Sequence, residues 1–118
     1  MARHRLQHYL RTYRRRFGLS QEEIARLLGA SSGTKVSRYE SFKRHPSVIA
    51  VFAYEIIFNK PIRNLFAGAY NAVRRDVQDR AKELLKALET EVANPRKSLK
   101  LQLLQAIVES KPEPPGRD

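Results

Sequence analysis

The side chains best suited to chemistry on an anion lie between Ser20 and Arg44: Ser20, Gln21, Ser32, Thr34, Lys35, Ser37, Arg38, Lys43 and Arg44. All of them donate hydrogen bonds, and four are permanently cationic. A guanidinium can bond guanine O6 and N7 together, a contact that discriminates by about 1 to 3 kcal/mol. Arg38 is therefore the first candidate for reading a base edge, with Thr34 and Ser37 beside it. Lys35, Lys43 and Arg44 are assigned to phosphate, which fixes register without reading sequence. Ser20, Gln21 and Ser32 join that phosphate set. Other chemistries have no such support. The chain has no cysteine, so disulfides, thiolate zinc, iron–sulfur ligation and thiol nucleophiles are excluded together. His4, His8 and His45 are scattered; the first two share an i, i+4 spacing but lack a third ligand, and all three are taken as solvated. With no convergent catalytic groups, neither an enzyme nor a cofactor is expected. Tyr9, Tyr13, Tyr39, Tyr54 and Tyr70 are taken as core or boundary aromatics, not as a stacking platform for single strands.

Charge points the same way. The 118 residues hold 23 Lys and Arg against 12 Asp and Glu, a net +11. Residues 1–66 hold 13 basic and 4 acidic side chains, residues 67–118 hold 10 and 8. The polyanion is thus expected to meet the first half: nucleic acid first, an acidic membrane surface second. Acids are missing through Gln21 while six arginines are present, a pattern also seen in organellar transit peptides. No secretory signal is expected, and the longest apolar run, Val48 to Tyr54, falls far short of the roughly 20 residues that span a bilayer. The expected location is cytoplasmic.

Helical periodicity runs through nearly the whole chain, with no sustained strand-type alternation, so the fold class is all-α. Leu6, Leu10, Tyr13 and Phe17 mark a first helix that stops at Gly18. Ser20 and Glu23 have the S-x-x-E spacing of a capping box and open a second, whose apolar face is Ile24, Ala25, Leu27 and Leu28 and whose end is Gly29. A third follows after only Ala30 to Gly33, with Val36 and Tyr39 inward. The fourth begins after Pro46 with Ser47 as cap, and its run from Val48 to Phe58 is apolar nearly all round, which predicts a buried central helix. Pro61 starts a fifth containing Ile62, Leu65 and Phe66. Val73, Val77, Ala81, Leu84, Leu88 and Val92 stripe a long sixth helix. Asn94 and Pro95 break it and start a last one carrying Leu99, Leu103, Leu104, Ile107 and Val108. The expected organisation is a five-helix domain over 1–66, a helical hairpin over 67–110 and a disordered tail over 111–118.

Two short helices joined by a tight turn predict a helix-turn-helix, whose second helix presents its N-terminal residues to a major groove. Gln21 falls in the first turn of the leading helix, where free amides and the dipole already attract phosphate. If Ser32 caps the third helix, Gly33, Thr34 and Lys35 fill its first turn, and Ser37 and Arg38 lie one turn along.

The segments Gly18-Leu-Ser-Gln-Glu-Glu-Ile-Ala-Arg-Leu-Leu-Gly29, Ser37-Arg-Tyr-Glu40, Arg44-His-Pro-Ser47 and Leu65-Phe66 fall in the order of the lambda repressor-like family of transcriptional regulators, also called the xenobiotic response element family, which this chain resembles over about residues 6–66. The resemblance implies a five-helix DNA-binding domain, a grip on the DNA backbone by Gln21, and a structural ion pair between Arg14 and Glu40. Three departures stand out. Gly29 to Tyr39 is one residue longer than usual, leaving two possible starts for the third helix. Gly33 lacks the side chain that many members use near this point to read a base. Phe42 replaces a glycine at a position where a positive φ burdens a bulky residue.

The hairpin has more apolar surface than it can hide alone. Its own first half, a second copy of the chain or another protein are the possible covers, and a homodimer through residues 67–110 is the working expectation, since twofold symmetry doubles contacts to a palindromic site. The reading as a whole is a double-stranded DNA-binding regulator, a homodimeric repressor of an inverted repeat. Its rivals are the antitoxin of a toxin pair, autoregulating through the same domain, and a basic protein that binds membrane surfaces through its first helix.

Overall fold

A computed structural model describes residues 8–114. Among them are seven helices and no strand: α1 (Leu10–Arg16), α2 (Gln21–Leu28), α3 (Gly33–Glu40), α4 (Val48–Phe58), α5 (Ile62–Leu65), α6 (Ala67–Leu88) and α7 (Pro95–Glu109). The fold is all-α, helix-turn-helix elements followed by C-terminal helices. Leu6, His4 and the end of the tail, 115–118, lie outside the described residues. The described chain divides into two compact units, one formed by residues 8–70 with 113–114, the other by residues 71–112.

In the first unit the boundaries of α2, α3 and α4 have local causes. Ser20 and Glu23 complete the capping box: Ser20 Oγ accepts from the Glu23 amide at 3.0 Å, and Glu23 Oε1 accepts from the Ser20 amide at 2.8 Å. Ser32 caps α3 and Ser47 caps α4. The C-termini share one device. After α1, α2, α3 and α4 the chain turns at a residue of positive φ, respectively Gly18, Gly29, Phe42 and Asn59, and the next amide bonds back to a carbonyl five residues earlier. Such turns satisfy the carbonyls that a helix end leaves free. Three of the four use glycine or asparagine, which enter this region readily. Phe42, at φ 65°, does not, and its conformation carries a cost of about 1 to 2 kcal/mol.

The core joins Leu10 and Tyr13 of α1, Ile24 and Ala25 of α2, Val36 and Tyr39 of α3, Ala50, Tyr54 and Phe58 of α4, and Leu65 and Phe66. Aromatic contacts run through it: Phe58 stacks 5.9 Å from Tyr54 and lies tilted 5.7 Å from Tyr13, ring centre to ring centre. The expectation that α4 is buried all round is corrected. Its inner row, Ala50, Tyr54 and Phe58, faces the core, but Val48, Ile49, Phe52 and Ile56 are 66%, 74%, 52% and 79% exposed. The cause is where the neighbours lie: α2 and α5 pack on α4, Tyr13 of α1 and Tyr39 of α3 meet Phe58 and Tyr54 of its inner row, and its outer side is left open. Leu27 of α2 and Phe17 are exposed as well, although the Phe17 ring still stacks on Phe58 at 6.0 Å.

In the second unit, Ala81 and Leu88 of α6 bury themselves against Leu104 of α7, with Leu85, Leu101, Ile107 and Val108 packed around them. Asn94 caps α7, accepting from the Lys97 amide at 2.9 Å, and Pro95 takes the first helical position. At the other end Gln78 Nε2 reaches the carbonyls of Ile107 at 3.0 Å and Ser110 at 2.9 Å. The amide thereby adds to the capping of the α7 C-terminus, where the Ile107 carbonyl also accepts from the Ser110 amide at 3.2 Å. The single stripe expected along α6 is corrected: only Ala81 and Leu88 of that set are buried, Val73, Val77 and Leu84 are exposed, and Val92 lies beyond the helix end. One partner helix covers one edge of α6. Among the described residues no helix is long and apolar enough to cross a membrane.

Candidate nucleic-acid interface

A buried carboxylate joins α1, α2 and α3. Glu40, 6% exposed, ends α3 and holds all three helices of the site. Arg14 Nε of α1 donates to its Oε2 at 2.6 Å and Arg14 Nη2 to its Oε1 at 3.0 Å. Gln21 Nε2 of α2 donates to the same Oε1 at 3.2 Å. Arg14 also bonds the Leu19 carbonyl at 2.9 Å, just before the α2 cap. Donation to the Glu40 carboxylate holds the Arg14 guanidinium above the usual arginine range, despite partial burial. Bidentate geometry fixes orientation as well as distance, so α3 is set in direction relative to α1 and α2.

A second tie sets how closely α2 and α3 approach. The Gly33 amide, first in α3, donates to Glu22 Oε2 across the turn. A methyl group on Gly33 overlaps that carboxylate and presses to 3.3 Å from the backbone carbonyl carbon of Gln21. Gly33 thus stands where α2 and α3 come close, with little room for a larger side chain. The start of α3 is fixed too, with Ser32 as cap and Gly33 first in the helix, Ser32 Oγ accepting from the Thr34 amide at 3.3 Å. The turn runs from Gly29, in the left-handed conformation, to Ser32.

With Val36, Tyr39 and Glu40 facing inward, Thr34, Lys35, Ser37 and Arg38 are left on the outer side of α3. A cleft of about 490 Å³ joins this side to the turn and the following loop, lined among others by Ser31, Ser32, Thr34, Lys35, Arg38 and Arg44. Lys43 is exposed on the same loop, its amide bonded to the Arg38 carbonyl at 3.0 Å. The phosphate candidates are more constrained than their types alone indicate. Ser20 and Ser32 already accept capping bonds, so toward an anion each offers its hydroxyl proton. Gln21 is half-buried and has turned one amide hydrogen to Glu40, keeping the other for an outside acceptor.

His8 is a correction. Expected in solvent, it is half-buried: Nε2 lies 3.0 Å from the Tyr39 carbonyl, and the ring stands between Phe42 at 4.8 Å and Phe66 at 5.4 Å. Burial pushes its pKa below 6.5, against the opposing pull of the Tyr39 carbonyl and of Glu40. The ring braces the strained Phe42 turn that leads into Lys43 and Arg44. Glu22 and His8 are therefore contributors to the site that residue type did not reveal. An i to i+11 carboxylate-to-glycine contact across the turn has no periodic signal, and His8 lies 31 residues from the carbonyl that it meets.

Residues 5–53 match the family model of a helix-turn-helix domain, so the match takes in α1, α2, α3 and the first half of α4. No curated protein matches the chain, and neither does any solved structure.

Proposed function

We propose, taking the helix-turn-helix domain of residues 5–53 as the premise, that this chain is a sequence-specific double-stranded DNA-binding regulator. Within such domains we place it with the lambda repressor-like group, and we propose that it acts as a homodimeric repressor of an inverted repeat. The observation that carries the reading is the outer side of α3. Thr34, Lys35, Ser37 and Arg38 stand exposed on one short helix and share a cleft with Arg44, while the Glu40 and Glu22 ties hold that helix in place from behind.

In this reading α3 enters the major groove. Arg38 bonds a guanine edge, Thr34 and Ser37 contact neighbouring bases, and Lys35, Lys43 and Arg44 bind phosphates alongside Ser20, Gln21 and Ser32. A free Arg38 suits this role better than Arg14, which is already committed to Glu40.

Footprinting on the DNA upstream of the chain's own gene tests the reading. Protection of a two-part site with half-sites about 34 Å apart is expected. Arg38→Ala should then relax sequence preference, whereas Lys43→Ala should weaken all duplexes alike and reduce the salt slope by about one. Equal loss on specific and random duplex for Arg38→Ala removes that residue from base reading, and absence of any protected site removes the regulator.

A second reading has its own observation. The hairpin of residues 71–112 leaves Val73, Val77, Leu84, Leu99 and Leu103 exposed, which favours a protein partner for that unit, as in an antitoxin that regulates its own operon. A small protein co-purifying in equal amount with the chain, and lost on truncation after Tyr70, supports it.

A further inference from the structure

The outer side of α4 is a second surface that the DNA reading does not use. Val48, Phe52 and Ile56 form an i, i+4, i+8 row with Ile49 beside it, all exposed. No lysine or arginine occurs from His45 through Asn59, within a half-chain that is otherwise strongly basic. The one acid of the helix, Glu55, is turned to the Ile62 amide at 3.0 Å. We infer that this face is the seam on which a second copy of the chain docks, α4 against α4 about a twofold axis; the inference rests on the dimeric DNA reading above and deepens it.

Charge selects against the other classes of occupant. A surface meeting phosphate or an anionic lipid headgroup is cationic, and this one is neutral. Two copies of a half-chain carrying 13 basic and 4 acidic groups repel over most of their surface, and α4 is where they can touch without opposing like charges. Shape suits a copy of itself. An i±4 row on one helix packs into the groove beside the same row on another, and a twofold contact requires one patch to complement itself. Area agrees in scale. Four such side chains present on the order of 400 to 500 Å² of apolar surface, the centre of an interface that buries roughly 800 Å² per partner.

Position ties the seam to the reading helix. Ile49 lines a 210 Å³ cleft together with Lys35 and Tyr39 of α3, so the seam borders the surface proposed to meet DNA. An axis through α4 carries both α3 helices beside it, as a two-part site on one duplex requires.

The test is the mass of the full-length chain in solution without DNA, so that its outcome is independent of whether DNA binding is found. Wild type should sediment as a dimer at micromolar concentration. Ile56→Glu, at an exposed position, should raise the dissociation constant at least about 30-fold with an unchanged circular-dichroism melting curve of the monomer. Because the chain has no cysteine, Phe52→Cys introduces its sole thiol, and oxidation should convert the variant to a covalent dimer. A monomer at every concentration overturns the inference. So does a dimer that survives Ile56→Glu but dissociates in Val77→Glu or Leu84→Glu, which moves the contact to the hairpin. Equimolar retention of a different protein that Ile56→Glu releases also overturns it.

Discussion

Replacing Glu40 by glutamine keeps the shape of the side chain and removes its charge. The Arg14 and Glu40 side chains are 11% and 4% exposed, so the guanidinium then remains largely out of water with no counter-charge. The new amide accepts from Arg14 through its oxygen but turns an N–H₂ donor toward guanidinium or Gln21 donors. One charge-assisted bond, about 1.5 to 3 kcal/mol, is therefore replaced by a clash of donors, and breaking a mostly buried pair from one side costs about 3 to 5 kcal/mol in all. Against a total stability of about 5 to 15 kcal/mol, this is a large fraction. For a unit of this size each kcal/mol moves Tm by roughly 4 to 8 °C, so a fall on the order of 15 to 30 °C is expected. Thermal denaturation followed by circular dichroism measures the fall, and urea denaturation measures the free-energy loss. Arg14→Met together with Glu40→Gln removes both charges, and the double variant should recover at least about 2 kcal/mol relative to the sum of the single losses. If Glu40→Gln costs less than about 1 kcal/mol, or if the two losses simply add, Glu40 does not hold the three helices together.

Three further outcomes follow from the same unit. Gly33→Ala should lower stability by about 1 kcal/mol, because loss of the Glu22 bond outweighs the usual helix gain of alanine over glycine; a stabilised variant in the same urea titration contradicts the contact at the turn. Phe42→Gly and Phe42→Ala both lose the ring against His8, but only glycine relieves the left-handed backbone, so the glycine variant should be the more stable by about 1 kcal/mol. His8 takes up its proton less readily folded than unfolded, so its contribution is complete above about pH 6.5 and is lost as pH falls through the lower folded value. Wild type should accordingly lose more stability than His8→Gln between pH 7 and 5, and equal slopes for the two proteins refute the burial of that ring.

Much of this architecture is legible in residue order. Glycine, serine and proline punctuation locates the ends of most helices within a residue or two, because a helix end leaves free amides and carbonyls that few side chains can satisfy. Ser20 with Glu23, Ser47, Asn94 with Pro95, and the stops at Gly18 and Gly29 all act through such local bonds. Exposure is less legible. The α4 sequence is apolar on all sides, and periodicity cannot tell a central helix from one with an uncovered face, since the difference lies in where its neighbours pack against it. Long-range polar contacts are hidden for a related reason. The Gln21 bond to Glu40, the Glu22 bond to Gly33 and the His8 contact with Tyr39 depend on how helices cross, and spacing along one helix carries no record of that. Thr34, Lys35, Ser37 and Arg38, by contrast, are placed outward by the same helical period that turns Val36 and Tyr39 inward.

Helices α2 and α3 are eight residues each, below the length of roughly 12 to 15 at which an isolated helix persists in water. Synthesised as a free peptide, Gly33 to Glu40 is expected to be a coil. The cationic outer edge of α3 is then a property of the assembled domain and not of a segment, so a graft of α3 onto another scaffold must bring along substitutes for the Glu22 and Arg14 anchors. The outer edge of α3 is therefore expected to be lost together with the fold of the unit when it melts.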